Sequence, residues 1–202
     1  MNTSKKKLTR KQVASYAREN YDGAIGFLHY ADYDYPAARC CILNNLNSGF
    51  ILASQSIEKA FKALIYLESG EKIITNHDPF YLKEKLKKIK DYDLDKYDDI
   101  LKKLSDHFKT RYHDEKTTYG TKFSSTEELK NIDSLWLELK DKLPIPDEIK
   151  YRTKFFCDIC EPAEFNSNKF WLEKSNISLR IKIQSYKTRY NEIQKILYGG
   201  DK

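Results

Sequence analysis

Phe50 to Gly70 reads Phe-Ile-Leu-Ala-Ser-Gln-Ser-Ile-Glu-Lys-Ala-Phe-Lys-Ala-Leu-Ile-Tyr-Leu-Glu-Ser-Gly, and this stretch decides the fold class. Ala53, Ile57, Ala60, Phe61, Leu64, Ile65 and Leu67 return at alternating intervals of three and four, which places them on one face of a helix. Ser48 is an N-cap candidate and Gly70 a stop. The small side chains of Ala53, Ala60 and Ala63 let a neighbouring helix approach closely, and Glu58 precedes Lys62 by four in the favourable order for an ion pair. The stretch predicts a central core helix.

Outward from it the same periodicity continues in both directions. Thr9 to about Asn44 is helical, with Val13, Ala17, Ala24, Phe27, Leu28 and Ala31 on one side. Pro36 lacks a backbone donor and crowds the carbonyl of Asp32, so a kink or break is predicted there. Downstream, Asp78 caps a helix that opens with Pro79 and continues through Leu82, Leu86 and Ile89. Asp93 or Asp95 opens the next, carried by Leu94, Tyr97, Leu101, Leu104, Phe108 and Tyr112, and residues 114–124 lose the period and read as a loop. Ser125-Thr126-Glu127-Glu128 has capping-box form and introduces Leu129, Ile132, Leu135, Trp136, Leu139 and Leu143.

Pro144-Ile145-Pro146 ends that helix and is the best linker candidate. Asp147 to Cys160 forms a short helix stopped by Pro162. From Ser175 a long amphipathic helix carries Leu179, Ile183, Tyr186, Tyr190, Ile193 and Leu197. No hairpin pattern and no internal repeat accompanies these helices. The expected fold is all-α: an up-and-down helical bundle over residues 1–144 and a C-terminal helical extension over 145–202 that packs on the bundle or on a partner.

Composition sets the outer limits. With 40% apolar and 33% charged residues, seven glycines and five prolines in 202 residues, the chain reads as globular. No apolar run reaches the roughly 18 residues of a membrane span, and Lys5-Lys6-Lys7 leads into Leu8-Thr9-Arg10-Lys11 rather than an apolar segment, so a cytoplasmic protein without membrane attachment is expected. The net charge of +6 comes from 36 basic and 30 acidic residues interleaved almost everywhere, and only seven of the basic residues are arginines. Such a lysine surface is mainly solvating, with Lys83, Lys85, Lys87, Lys88 and Lys90 as the stretch that could meet nucleic acid. Cys40-Cys41 and Cys157/Cys160 read as free thiols on helices, since adjacent cysteines set two sulfurs poorly around one tetrahedral ion and no histidine stands at ligand spacing; neither metal nor cofactor is expected.

Four pieces, in order, carry a family resemblance: Ala31-Asp32-Tyr33-Asp34-Tyr35 with Ala37-Ala38-Arg39, then Ala53-Ser54-Gln55-Ser56-Ile57-Glu58-Lys59-Ala60 with Lys62-Ala63, then His77-Asp78, and finally Arg111-Tyr112. Across residues 13–143 the chain resembles the HEPN superfamily of small helical bundles. Asp34, Arg39, Gln55 and Glu58 are then expected to form a hydrogen-bonded network between the first helices, with Arg39 paired to Glu58 or Asp34, or else Arg39, Lys59 and Lys62 to make a cationic pocket for nucleotide phosphate. Many members of that superfamily resemble metal-independent ribonucleases with an Arg followed by His after four to six residues. Here none of His29, His77, His107 and His113 has an Arg at that spacing.

The resemblance therefore implies a non-catalytic, dimeric module that binds nucleotide, RNA or a protein such as a minimal nucleotidyltransferase, in a toxin-antitoxin or defence-like setting. One alternative is a metal-independent endoribonuclease in which Arg111 works with His107, four residues before it on one helical face, or with His113. The other is a structural interaction protein acting through its C-terminal helix.

Overall fold

In the computed structural model, which describes residues 8–19, 21–109, 125–162 and 166–199, ten α-helices follow one another and no strand occurs among the described residues. The all-α class is thus established. No described helix is long and apolar enough to cross a membrane.

The central helix is α3, Ser48–Ser69. It ends at Gly70, which takes the left-handed conformation (φ 74°) and donates its N–H to the Tyr66 carbonyl, a geometry that a Cβ would strain. At the other end Asn47, not Ser48, holds the cap position, and it offers no side-chain bond. Against α3 lies α2, Gly26–Leu43, packed along most of its length through buried Ala31, Ala38, Ala53 and Ala60. Where the two helices approach closest, a Cβ on Gly49 would stand 2.6 Å from Ile42 Cγ1 and 2.9 Å from the Ala38 carbonyl oxygen.

The interruption predicted at Pro36 is not a break. Helix α2 runs through Pro36, which is buried, and the chain changes direction earlier, at Gly23, whose backbone leaves helical values (φ −118°, ψ −119°) between α1 (Arg10–Glu19) and α2. Packing favours glycine at this point: a Cβ on Gly23 would lie 2.6 Å from the Tyr66 ring of α3. Burial of the α2 face on both sides of the proline then outweighs the one missing donor.

Helix α4, Pro79–Ile89, begins as its sequence requires. The Asp78 carboxylate accepts from the backbone N–H groups of Phe80 (2.9 Å) and Tyr81 (3.3 Å), and Pro79 occupies a position whose N–H would be unpaired anyway. A short 3₁₀ turn, Asp95–Tyr97, leads into α5, Asp98–Lys109. Both α4 and α5 pack on α3, and α6, Ser125–Lys142, closes the bundle against α2, α3 and α5. The sequence-predicted loop at 114–124 lies outside the described residues.

The single short helix expected over 147–160 is two, α7 (Asp147–Lys150) and α8 (Lys154–Cys160), because the turn at 151–153 brings Tyr151 and Phe155 into the core together. Helix α9, Asn168–Glu173, is separated from α10, Ile177–Tyr198, by Ser175 at φ 57° and by Asn176, whose side chain caps α10 by accepting from the Leu179 N–H. Helices α8 and α9 lie against α2, and α10 lies against α6 and α8. Residues beyond 145 therefore share one apolar core with the bundle. At its centre the Trp136 ring stacks on Tyr35 at 4.5 Å and meets Phe155 edge-on at 5.8 Å.

Candidate functional site

Arg39 is fully buried, and its guanidinium is used up inside the molecule. Helix α2 presents it toward α6 and α9, where Nε donates to the Trp171 carbonyl at 2.8 Å, Nη2 donates to the Lys174 carbonyl and Nη1 pairs with the Asp133 carboxylate. The Tyr35 hydroxyl donates to the same carboxylate at 2.6 Å and accepts from Asn176 Nδ2 at 3.3 Å. Burial pushes the Asp133 carboxyl up while Arg39 and Tyr35 pull it back. On Arg39 burial acts downward, but Tyr35 and Asp133 outweigh it and hold the guanidinium above its ordinary value. Three acceptors facing Arg39 and two donors facing Asp133 favour the ionised pair.

The expected partners of Arg39, Glu58 and Asp34, are elsewhere. Asp34 pairs with Lys59, joining α2 to α3 at a partly exposed position. Glu58 and Lys62, one turn apart and both buried, pair at 2.8 Å, and Lys62 Nζ also reaches the Ile74 carbonyl at 3.5 Å. His77, half-exposed, places Nδ1 3.0 Å from Glu58 Oε1. Gln55 is partly buried and makes no side-chain hydrogen bond among the described residues. One network across α2 and α3 is therefore replaced by separate pairs, and Arg39, Lys59 and Lys62 do not converge on a common pocket, because each cation is drawn to a different carboxylate.

His107 sits near the end of α5 with its ring stacked on Phe50 at 5.2 Å, its Nε2 is out of contact with solvent, and burial lowers its pKa against the pull of Asp106. Its two companions in the ribonuclease reading, Arg111 and His113, lie outside the described residues. On α3 the same stripe that carries Phe50 and Glu58 carries Ser54, whose Oγ is buried without a hydrogen-bond partner among the described residues.

Two groups have the residue types of a metal centre. Glu84, Asp95 and Asp98 bring carboxylate oxygens together, but the Lys83 ammonium already stands among them at 2.7, 2.5 and 2.7 Å, and its charge is balanced there. Cys157 and Cys160 are partly buried free thiols, pushed up to about 11 and about 12 chiefly by burial, which keeps them protonated and poor as ligands or nucleophiles.

Sequence reasoning missed the polar residues that organise the interior. Lys140 is wholly buried, donates to Asp32 at 2.8 Å and lies 5.4 to 5.7 Å from the rings of Trp136, Phe155 and Phe156; burial lowers its pKa while Asp32 opposes the shift. The other Asp32 oxygen accepts from the Phe155 N–H at 3.0 Å. A signal was present: Asp133 and Lys140, seven apart, fall on the same α6 face as Leu129, Ile132, Trp136 and Leu143, where an unpaired charge would be prohibitive.

On the outside, α10 leaves a stripe uncovered. Ile177 and Ile181, one turn apart, are 58% and 78% exposed. Ile181 edges a groove of about 320 Å³ between α6 and α10, whose other walls include Tyr97, Leu137 and Lys182. No family model, curated protein or solved structure matches the chain.

Proposed function

We propose that the chain is a HEPN-like, non-catalytic binding module that associates with a second copy of itself and with a nucleotide-handling partner of the minimal nucleotidyltransferase kind. The observation that carries the reading is the Ile177 and Ile181 stripe: two large aliphatic side chains exposed on a helix whose opposite face, Leu179, Tyr186, Ile193 and Leu197, is buried in the core. A helix fixed on one side, with two aliphatic side chains exposed near its start on the other, supports a docking role, since covering each isoleucine would contribute roughly 1.5 to 3 kcal/mol. The consumption of Arg39 and Lys62 in interior pairs supports binding through this surface rather than through the cationic pocket of the resemblance.

The test is sedimentation equilibrium of the full chain beside an Ile177→Lys, Ile181→Lys variant whose helical circular dichroism is unchanged. Self-association that the variant loses is the expected result, and a monomeric wild type would refute the dimer. The ribonuclease reading is decided on the same preparations, by incubation with single-stranded and structured RNA in excess chelator. Cleavage lost in both Arg111→Ala and His107→Ala would overturn the non-catalytic reading.

A further inference from the structure

Between α1, the start of α2 and the turn from α7 to α8 lies a cavity of about 220 Å³. One wall is apolar: Val13 and Ile149 are buried, and Ile25 is partly so. His29, Arg152 and Lys154 add polar and cationic groups to the lining. Arg152 is exposed and forms no ion pair or side-chain hydrogen bond among the described residues. The Lys154 ammonium pairs with Asp158 and lies 5.7 Å from the centre of the Tyr33 ring. That same carboxylate is shared with the side-chain amides of Asn166 and Asn168, so the acidic partner of Lys154 is already engaged and Arg152 has no carboxylate of its own among the described residues.

At the back of the cavity Thr153 is saturated: its hydroxyl donates to the Lys150 carbonyl at 3.0 Å and accepts from the buried Lys140 ammonium at 3.3 Å. The recess therefore ends on a fixed hydroxyl rather than on a group needing a partner. The His29 ring, which lines the cavity, stands edge to face with Tyr33 at 5.0 Å.

We infer that this cavity binds a small organic anion, a carboxylate on a short apolar body. The volume corresponds to about seven waters at ~30 Å³ each, which suits a six-carbon acid. The apolar wall disfavours a bare inorganic anion, whose hydration it cannot replace, and the cationic groups disfavour a neutral alcohol. Arg152 suits a carboxylate in particular, because its planar fork offers two parallel donors to two coplanar oxygens. The site is separate from the α10 stripe, so its occupancy is independent of self-association.

The experiment is a calorimetric titration of the full chain, with saturation-transfer NMR, using sodium hexanoate, hexan-1-ol and inorganic phosphate as probes. Hexanoate binds saturably, while hexanol and phosphate bind at least about tenfold more weakly, as expected for loss of one charge-assisted contact or of the apolar body. Arg152→Gln, at an exposed position, weakens hexanoate about tenfold without moving the melting temperature. Ala14→Phe, an exposed lining residue whose enlarged side chain enters the cavity, abolishes binding. Absence of saturable hexanoate binding, equal binding of hexanol or phosphate, or hexanoate binding that survives both substitutions would each overturn the assignment.

Discussion

Replacing Asp133 by Ala strands a fully buried cation, Arg39. Arg39 would keep its bonds to the Trp171 and Lys174 carbonyls but lose its only anionic partner, and the Tyr35 hydroxyl would lose the acceptor now 2.6 Å away. Breaking a buried pair from one side costs about 3 to 5 kcal/mol, because the remaining charge is uncompensated. For a chain of this size that corresponds to a fall in melting temperature of roughly 6 to 20 °C. Urea unfolding followed by circular dichroism measures it, together with a cycle in which Arg39→Met is made alone and with Asp133→Leu. Each single substitution is expected to destabilise strongly, and the double to recover a large part of the loss, since two apolar side chains leave no charge behind. If Asp133→Ala lies within about 1 kcal/mol of wild type, or the two losses simply add, the pair is not the charge-balancing element described here.

Gly49→Ala is expected to lower stability by about 1 to 3 kcal/mol, because the new methyl meets the backbone of Ile42 at 2.7 Å and of Ala38 at 2.9 Å and must push α2 away from α3; a neutral result in thermal unfolding would contradict that close approach. Hydrogen bonds from Lys83 and then Lys87 hold the exposed Asp95 carboxyl down at about 2, below the ordinary 3.8. A carboxyl depressed on folding contributes stability above its unfolded value, lost as pH falls from 3.8 toward 2, so the urea midpoint of wild type should decline faster over that interval than that of Asp95→Asn, and less so in high salt. Parallel profiles would refute the contribution.

The helices were legible where local chemistry alone sets them. Asp78-Pro79 specifies the start of α4 through its own side chain and ring, and Gly70 ends α3 because few other residues accept its φ. Pro36 misled because a local penalty was weighed without the tertiary burial of α2, whereas the actual interruption falls at Gly23, beside the Tyr66 ring, which arrives from α3. The polar interior was illegible for the same reason. Glu58 is near Arg39 in neighbouring helices, but the carboxylate that faces it is Asp133, ninety-four residues along the chain, and two further acceptors are main-chain carbonyls that carry no sequence signal. Lys59 and Asp34 could be chosen as polar groups of two adjacent helices, yet only their rotation about the helix axes pairs them with each other.

The Arg39 site also orders events during synthesis. Its acceptors lie at positions 133, 171 and 174, so a nascent chain that has already formed α2 and α3 carries a cation whose carboxylate follows 94 residues after it and whose last carbonyl follows 135 residues after it. At the ribosomal pace of about 5 to 20 residues per second, that interval is roughly 7 to 27 s. Until then Arg39 stays in water, which holds open the α2 face turned toward α6 and α9, and the arrival of α9 both supplies the last carbonyls and shuts the interior. The final quarter of the chain is thus the step that locks the earlier helices, and a ribosome paused near residue 160 would display an unfinished, chaperone-dependent bundle.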